Sequence, residues 1–271
     1  MTDADADPDL GADGETAPEY AYIEVDGIEK RFGGITALDG VDLRVGDGIT
    51  GLIGPNGAGK TTLFDVITGY HDPDGGTVRF RGADITGERP AGVAGQGLVR
   101  TFQIPRELAN MTVLENLLLA PRNQSGEGLA RSWLRGDRFA ADERRVRERA
   151  HEMAAFFELD HLLEEPAGNL SGGQRKLLEL ARALLTDPEM VLLDEPLAGV
   201  NPTLEEKILD RLHELAAEGY AFLLVEHDID VIMVHCERVV VMHQGQVLTS
   251  GDPEAVRSDE RVIEAYLGGE V

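Results

Sequence analysis

Short apolar runs separated by glycine-rich or polar stretches set the rhythm of this chain. Ile49-Thr50-Gly51-Leu52-Ile53, Met190-Val191-Leu192-Leu193 and Leu223-Leu224-Val225 lack polar alternation and are rich in aliphatic residues. That is the pattern of strands buried on both faces, the second a central parallel strand. Lys60 to Thr68 reads as a helix stopped by Gly69, and Pro202 to Ala217 as another. The latter has Asn201 as N-cap, Pro202 at its first position and Gly219 just past its end. Tyr22 to Arg31, Val41 to Val45 and Thr77 to Arg81 read as antiparallel strands, with Asp74-Gly75-Gly76 as a turn. From about residue 105 to 169 strand signals disappear and helical patterns take over, which predicts a helical lobe. Gln244-Gly245 turns a hairpin between Arg238–His243 and Gln246–Ser250, and short helices follow near Pro253–Arg257 and Glu260–Leu267. No repeat is visible. The fold class is α/β.

Chemistry enters where apolar runs end. After Ile53 the chain reads Gly54-Pro55-Asn56-Gly57-Ala58-Gly59-Lys60-Thr61-Thr62, a match to GxxxxGK[ST] in strand–loop–helix context. Such a loop brings backbone amides close to phosphate oxygens, and the following helix N-terminus adds positive charge. Lys60 is expected on the β/γ-phosphates and Thr61 on Mg²⁺. Asp194-Glu195-Pro196 closes the second apolar strand, at the sheet edge where ligands bind in open α/β folds. Asp194 suits a Mg²⁺ ligand, and Glu195 suits a group that orients and polarises the attacking water. Between them stands Leu170-Ser171-Gly172-Gly173-Gln174, which reads as a capped helix start with an amide-lined surface suited to phosphate.

At these residues the chain resembles the ATP-binding subunit of ATP-binding-cassette (ABC) transporters over about Tyr22 to Gly268. The resemblance implies a P-loop NTPase (RecA-like) core with an antiparallel β-subdomain and a helical subdomain. It implies one ATPase domain over 21–271 with the helical part inserted at about 105–169, after residues 1–20, whose composition reads as an acidic tail. It implies an enzyme, an ATPase using ATP and Mg²⁺. Ser171, Gly172, Gly173 and Gln174 would bind the γ-phosphate of ATP held by the neighbouring subunit, so that two nucleotides lie between head-to-tail protomers. Gln103, within Arg100-Thr101-Phe102-Gln103, matches the glutamine that reaches Mg²⁺ and the water. His227 matches the switch histidine, Phe32 the aromatic that stacks on adenine, and Asn201 falls where many relatives carry Asp.

Further stretches resemble one importer branch: Phe32 to Leu38, Arg100 to Gln103, Met111 to Asn116 and Val262 to Gly268. That branch serves branched-chain amino acids, or alternatively urea and related amides or another polar solute. Its partners are a second, usually paralogous ATPase subunit, two membrane permeases and an external solute-binding protein. The subunit would sit peripherally at the cytoplasmic face of the membrane. A non-transport ABC ATPase would show a coiled-coil insertion, a second cassette or a basic surface.

Composition sharpens this. The 271 residues include 50 acidic against 25 basic ones, a formal charge of −25, which argues against a nucleic-acid partner. So acidic a surface repels itself in dilute buffer and is tolerated where salt shortens the Debye length, to about 3 Å near 1 M, which predicts a halophilic cytoplasm. No apolar stretch approaches the roughly 18 residues a membrane helix needs. Met1 to Glu19 reads as an acidic disordered tail rather than a signal peptide. The lone Cys236 cannot form an internal disulfide, and its spacing from His227, His235 and His243 fits no common zinc pattern. Seven arginines between Arg131 and Arg149 read as a solvated helix face with a Glu143–Arg147 pair or, alternatively, as a face toward a membrane subunit or lipid headgroups, and Trp133 as packed within the lobe.

Overall fold

A computed structural model describes residues 21–101, 108–121 and 136–267. In chain order the strands are β1 (Ile23–Phe32), β2 (Ile35–Val45), β3 (Ile49–Ile53), β4 (Gly75–Phe80), β5 (Ala83–Asp84), β6 (Leu98–Arg100), β7 (Met190–Asp194), β8 (Ala221–Val225), β9 (Arg238–His243) and β10 (Gln246–Gly251). The helices are α1 (Lys60–Ile67), α2 (Pro90–Gln96), α3 (Val113–Leu118), α4 (Gly136–Phe156), α5 (Gly172–Leu184), α6 (Pro202–Ala217), α7 (Ile229–His235), α8 (Pro253–Ser258) and α9 (Glu260–Leu267). They fall into two compact units, one of residues up to Gln96 and from Leu215 onward, the other spanning Gly97–Glu214.

In the first unit, β2-β1-β4-β5 form an antiparallel sheet. Ile23, Val25, Ile28, Val41, Leu43 and Val45 are buried from its two longest strands, while their polar neighbours face out. The expected turn at Asp74-Gly75-Gly76 is corrected here: Gly75 and Gly76 open β4 and pair into the sheet. The reason is a bulge between Asp26 and Glu29, where Gly76 at φ 83° passes so close that a Cβ would lie 2.4 Å from the Gly27 carbonyl oxygen. Beside this sheet runs β3, every residue buried, with β8 and β9 parallel on either side and β10 antiparallel to β9. Gln244 and Gly245, both at positive φ, make the tight hairpin turn.

In the second unit β6 pairs parallel with β7, Arg100 opposite Leu192. The short β5, β6 and α2 carry no period long enough to stand out in the sequence. Helix α3 begins with a capping box between Thr112 and Glu115, and the fully buried Asn116 bonds the carbonyl oxygens of Leu108 and Thr112. Asn201 caps α6 as expected, accepting from the Leu204 N–H at 3.0 Å. The expected Glu143–Arg147 pair is not formed among the described residues. Arg149 instead forks onto Asp187, beyond the end of α5, and Arg145 lies 3.5 Å from Asp142. Glu143 and Arg147 are both exposed, and a pair there gains only a few tenths of a kcal/mol, too little to offset the entropy of ordering two long side chains. Arg131, Trp133, Arg135 and the acidic tail lie outside the described residues, as does the side chain of Arg138.

Candidate functional site

The phosphate-binding loop is held by backbone. Gly54, at φ 150°, leaves β3 so near β9 that a Cβ would lie 2.1 Å from the Met242 carbonyl oxygen. Gly59, at φ 103°, would bring a Cβ to 2.7 Å from the Ala37 carbonyl oxygen. Between them Gly57 faces open space and Asn56 is exposed. The hairpin turn braces the loop from behind: Gly245 N–H donates to Ala58 at 3.0 Å, while Asp39 N–H donates to Gly245 at 2.9 Å. Lys60 is buried, its ammonium donating to the carbonyls of Gly54 at 2.6 Å and Pro55 at 3.3 Å, so the charge is centred over the loop. The N-cap of α1 is Gly59, which has no side chain to cap it, and Thr61 is exposed in the first turn while Thr62 is half-buried.

The last described helix, α9, reaches the same loop. Tyr266 is hydrogen-bonded to the Gly54 backbone, and burial pushes its hydroxyl up to about 12 despite that bond. A cavity of about 310 Å³ lies between Pro55, Asn56, Gly57 and Ala58 and the residues His243, Gln244, Glu264 and Ala265. Phe32, 43% exposed, ends β1 with its ring edge-on to His71 at 5.2 Å and with the Lys30 ammonium 5.4 Å away. His227 is exposed between β8 and α7, just before Asp228, whose side chain caps that helix.

The second unit gathers the acidic pair and the Ser-Gly-Gly turn through side chains. Asp194 is 5% exposed at the end of β7, and its Oδ2 accepts from the Arg100 guanidinium at 2.7 Å. Glu195 is half-buried and adopts φ 51°, a left-handed conformation uncommon outside glycine. Its carbonyl, and that of Ala198, accept from Lys176 Nζ at 3.0 and 2.5 Å. Lys176 belongs to α5, whose N-cap is Ser171 in a full capping box: Ser171 Oγ accepts from the Gln174 N–H, and Gln174 Oε1 from the Ser171 N–H. Gly172 faces open space, whereas a Cβ on Gly173 would lie 2.1 Å from a methyl of Leu204. One lysine thus ties the Ser171 helix to the Glu195 turn. Gln103 lies outside the described residues.

Residues 38–198 match the family model described as ABC transporter. The chain belongs to that family. It is an ABC ATPase, an ATP-binding enzyme coupled to transport, and cassettes of this family work as dimers with membrane permease subunits. Residues 246–271 of this cassette match a second model, the branched-chain amino acid ATP-binding cassette transporter. Similar proteins include the probable branched-chain amino acid transport ATP-binding protein LivG of Archaeoglobus fulgidus, 43% identical over 92% of this chain and 96% of that one. The high-affinity LivG of Escherichia coli K12 is 42% identical over 91% of this chain and 97% of that one. Among solved structures, the ADP conformation of an ATP-binding cassette of an ABC transporter is similar at TM-score 0.78 and 42% identity, covering 92% and 99% of the two chains. A nucleotide-free cassette is similar at TM-score 0.78 and 41% identity, covering 91% and 98%. No described helix of this ABC ATPase is long and apolar enough to cross a membrane.

Two residues of the cassette carry geometry that sequence reasoning passed over, Arg100 and Lys176. Only the neighbouring Gln103 and Ser171 motifs pointed near them, because their partners lie 94 and 19 to 22 positions away. The hard-oxygen donors Thr61 and Asp194 suit Mg²⁺, which keeps waters and leans on substrate phosphates rather than on a protein cage. Among the described residues there is no group of three or more His, Cys, Asp or Glu placed to hold a metal.

Proposed function

We propose that this chain is the ATP-hydrolysing subunit of a branched-chain amino acid importer. It would act at the cytoplasmic face of the membrane, paired head-to-tail with a paralogous or identical cassette and docked on two permeases, with an external binding protein supplying solute. The match of residues 246–271 to the branched-chain amino acid model carries the substrate class, supported by the names of the relatives. In this reading Gly54 to Thr62 wrap the phosphates, with Lys60 on the β/γ oxygens and Phe32 against adenine. Thr61, Asp194 and Gln103 would hold Mg²⁺, which neutralises charge on those oxygens when bound. Ser171, Gly172, Gly173 and Gln174 would meet the γ-phosphate on the opposite protomer. The Ser171 hydroxyl keeps its proton to donate there, because its oxygen is the acceptor in the capping box. Glu195 would orient the attacking water and His227 would contact the γ-phosphate. The left-handed backbone at Glu195 supports this assignment, since such strain collects at functional positions.

Replacing Glu195 by Gln in the assembled complex tests the reading. Turnover should fall by about 10² to 10⁴-fold while ATP still binds and holds the dimer closed. Hydrolysis at the unsubstituted rate would remove Glu195 from the role. Uptake in reconstituted vesicles that takes urea but no leucine, isoleucine or valine would refute the substrate class.

A further inference from the structure

Asp194 and Arg100 form an ion pair between strand ends, both side chains more than nine-tenths buried. Strands β6 and β7 run parallel with Arg100 opposite Leu192, so Asp194, two residues on, shares a face with Leu192 and lies within diagonal reach of the guanidinium. The bond uses Oδ2 of the carboxylate. Pairs of this kind are poor stabilisers compared with apolar packing, so stability alone does not account for it. We propose that Arg100 is a positioning residue that makes Asp194 a metal ligand only in the presence of a nucleotide. Compensated by Arg100, the carboxylate attracts a second cation weakly. Phosphate oxygens would restore the local negative charge, so Asp194 would hold the metal only beside them. Without the guanidinium, the buried carboxylate loses its partner, and a divalent cation competes with a proton to neutralise it.

This rests on Asp194 being the metal's carboxylate, as proposed above. The test is a titration of the full chain with Mn²⁺, following free Mn²⁺ by electron paramagnetic resonance, with and without ADP, alongside thermal unfolding. Arg100→Met should bind Mn²⁺ without nucleotide at least tenfold more tightly than the unsubstituted chain, and its unfolding midpoint should rise with added Mn²⁺. Arg100→Lys, which keeps the charge, should stay within about threefold of the unsubstituted chain. The double variant Arg100→Met with Asp194→Asn should lose the gain. Equal Mn²⁺ affinity in Arg100→Met and the unsubstituted chain would overturn the proposal and leave Arg100 a strut. If Arg100→Met does not fold, Arg100→Gln in the same titration decides in the same way. Asp194→Asn alone separates the two ideas: unchanged ADP-linked Mn²⁺ binding there would sink the role of Asp194 itself. Weakened binding there, together with no gain in Arg100→Met, would sink only the role of Arg100.

Discussion

The phosphate loop after β3 and the Asp194–Glu195 turn after β7 begin alike, each at the end of a fully buried five-residue strand. A lysine ammonium bonds two backbone carbonyls in each, Lys60 on Gly54 and Pro55 and Lys176 on Glu195 and Ala198, but the rest of their support differs. Around the loop, backbone does the work: glycines allow close approach to Met242 and Ala37, and a hairpin turn hydrogen-bonds Ala58. Around the turn, long cationic side chains arrive from elsewhere, Arg100 onto a carboxylate and Lys176 onto two carbonyls. A backbone-built site needs particular residues at adjacent positions, whereas a side-chain-built one needs partners far apart in sequence. The first tolerates almost no change of residue type and the second is tunable.

The largest effect that probes this contrast is expected within the loop. Gly54→Ala drives a methyl into the Met242 carbonyl and should cost about 4 kcal/mol or more, measured by urea unfolding. Gly57→Ala meets nothing within 4 Å and should cost only about 1 to 2 kcal/mol, from its positive φ alone. Equal costs would mean that the approach to β9 is not what demands glycine. Next comes the turn: Lys176→Met removes the donor to Glu195 and Ala198 and should lower kcat about tenfold with KM nearly unchanged. Lys176→Arg should recover most of the rate. A KM effect without a kcat effect would place Lys176 outside the support of Glu195.

The smallest effect is a pH dependence confined to the unit that carries the loop. Burial, reinforced by Glu237, pushes the Cys236 thiol from 9.0 up to about 12, and burial likewise raises Tyr266 from 10.0 to about 12. Both groups stay protonated in the folded chain when the unfolded chain has released its protons. Their contribution is therefore complete below about pH 9 and is lost as pH rises from there toward 12. For Cys236 the slope is at most about 1.4 kcal/mol per pH unit. Tyr266 adds less, because water reaches part of it. Urea midpoints between pH 8.5 and 11 should fall less steeply in Cys236→Ala, and an unchanged slope would clear the thiol of any part in it.

Much of both regions was legible in the sequence. Strands β3, β7 and β8, helices α1 and α6 and the terminal hairpin fall at or within a residue or two of the predicted bounds. Their signals are local: apolar runs ended by glycine, an Asn-Pro start and a Gln-Gly turn. The glycines of β4 were misread as a turn because a bulge and a turn call for the same residue. The Glu143–Arg147 pair does not form because spacing shows only what can meet along one helix, and an exposed pair gains too little to hold two long side chains in place.

By itself, the sequence determined which segments become buried strands, where amides converge on phosphate and which family the chain resembles. Each of those follows from neighbours along the backbone, whose geometry is set by residue type. Only the tertiary structure decided that Arg100 would meet Asp194, that Lys176 would hold the Glu195 turn and that Tyr266 would reach Gly54. Those contacts depend on strand register and helix packing, which emerge from the burial of the whole core and are written in no single stretch of the chain.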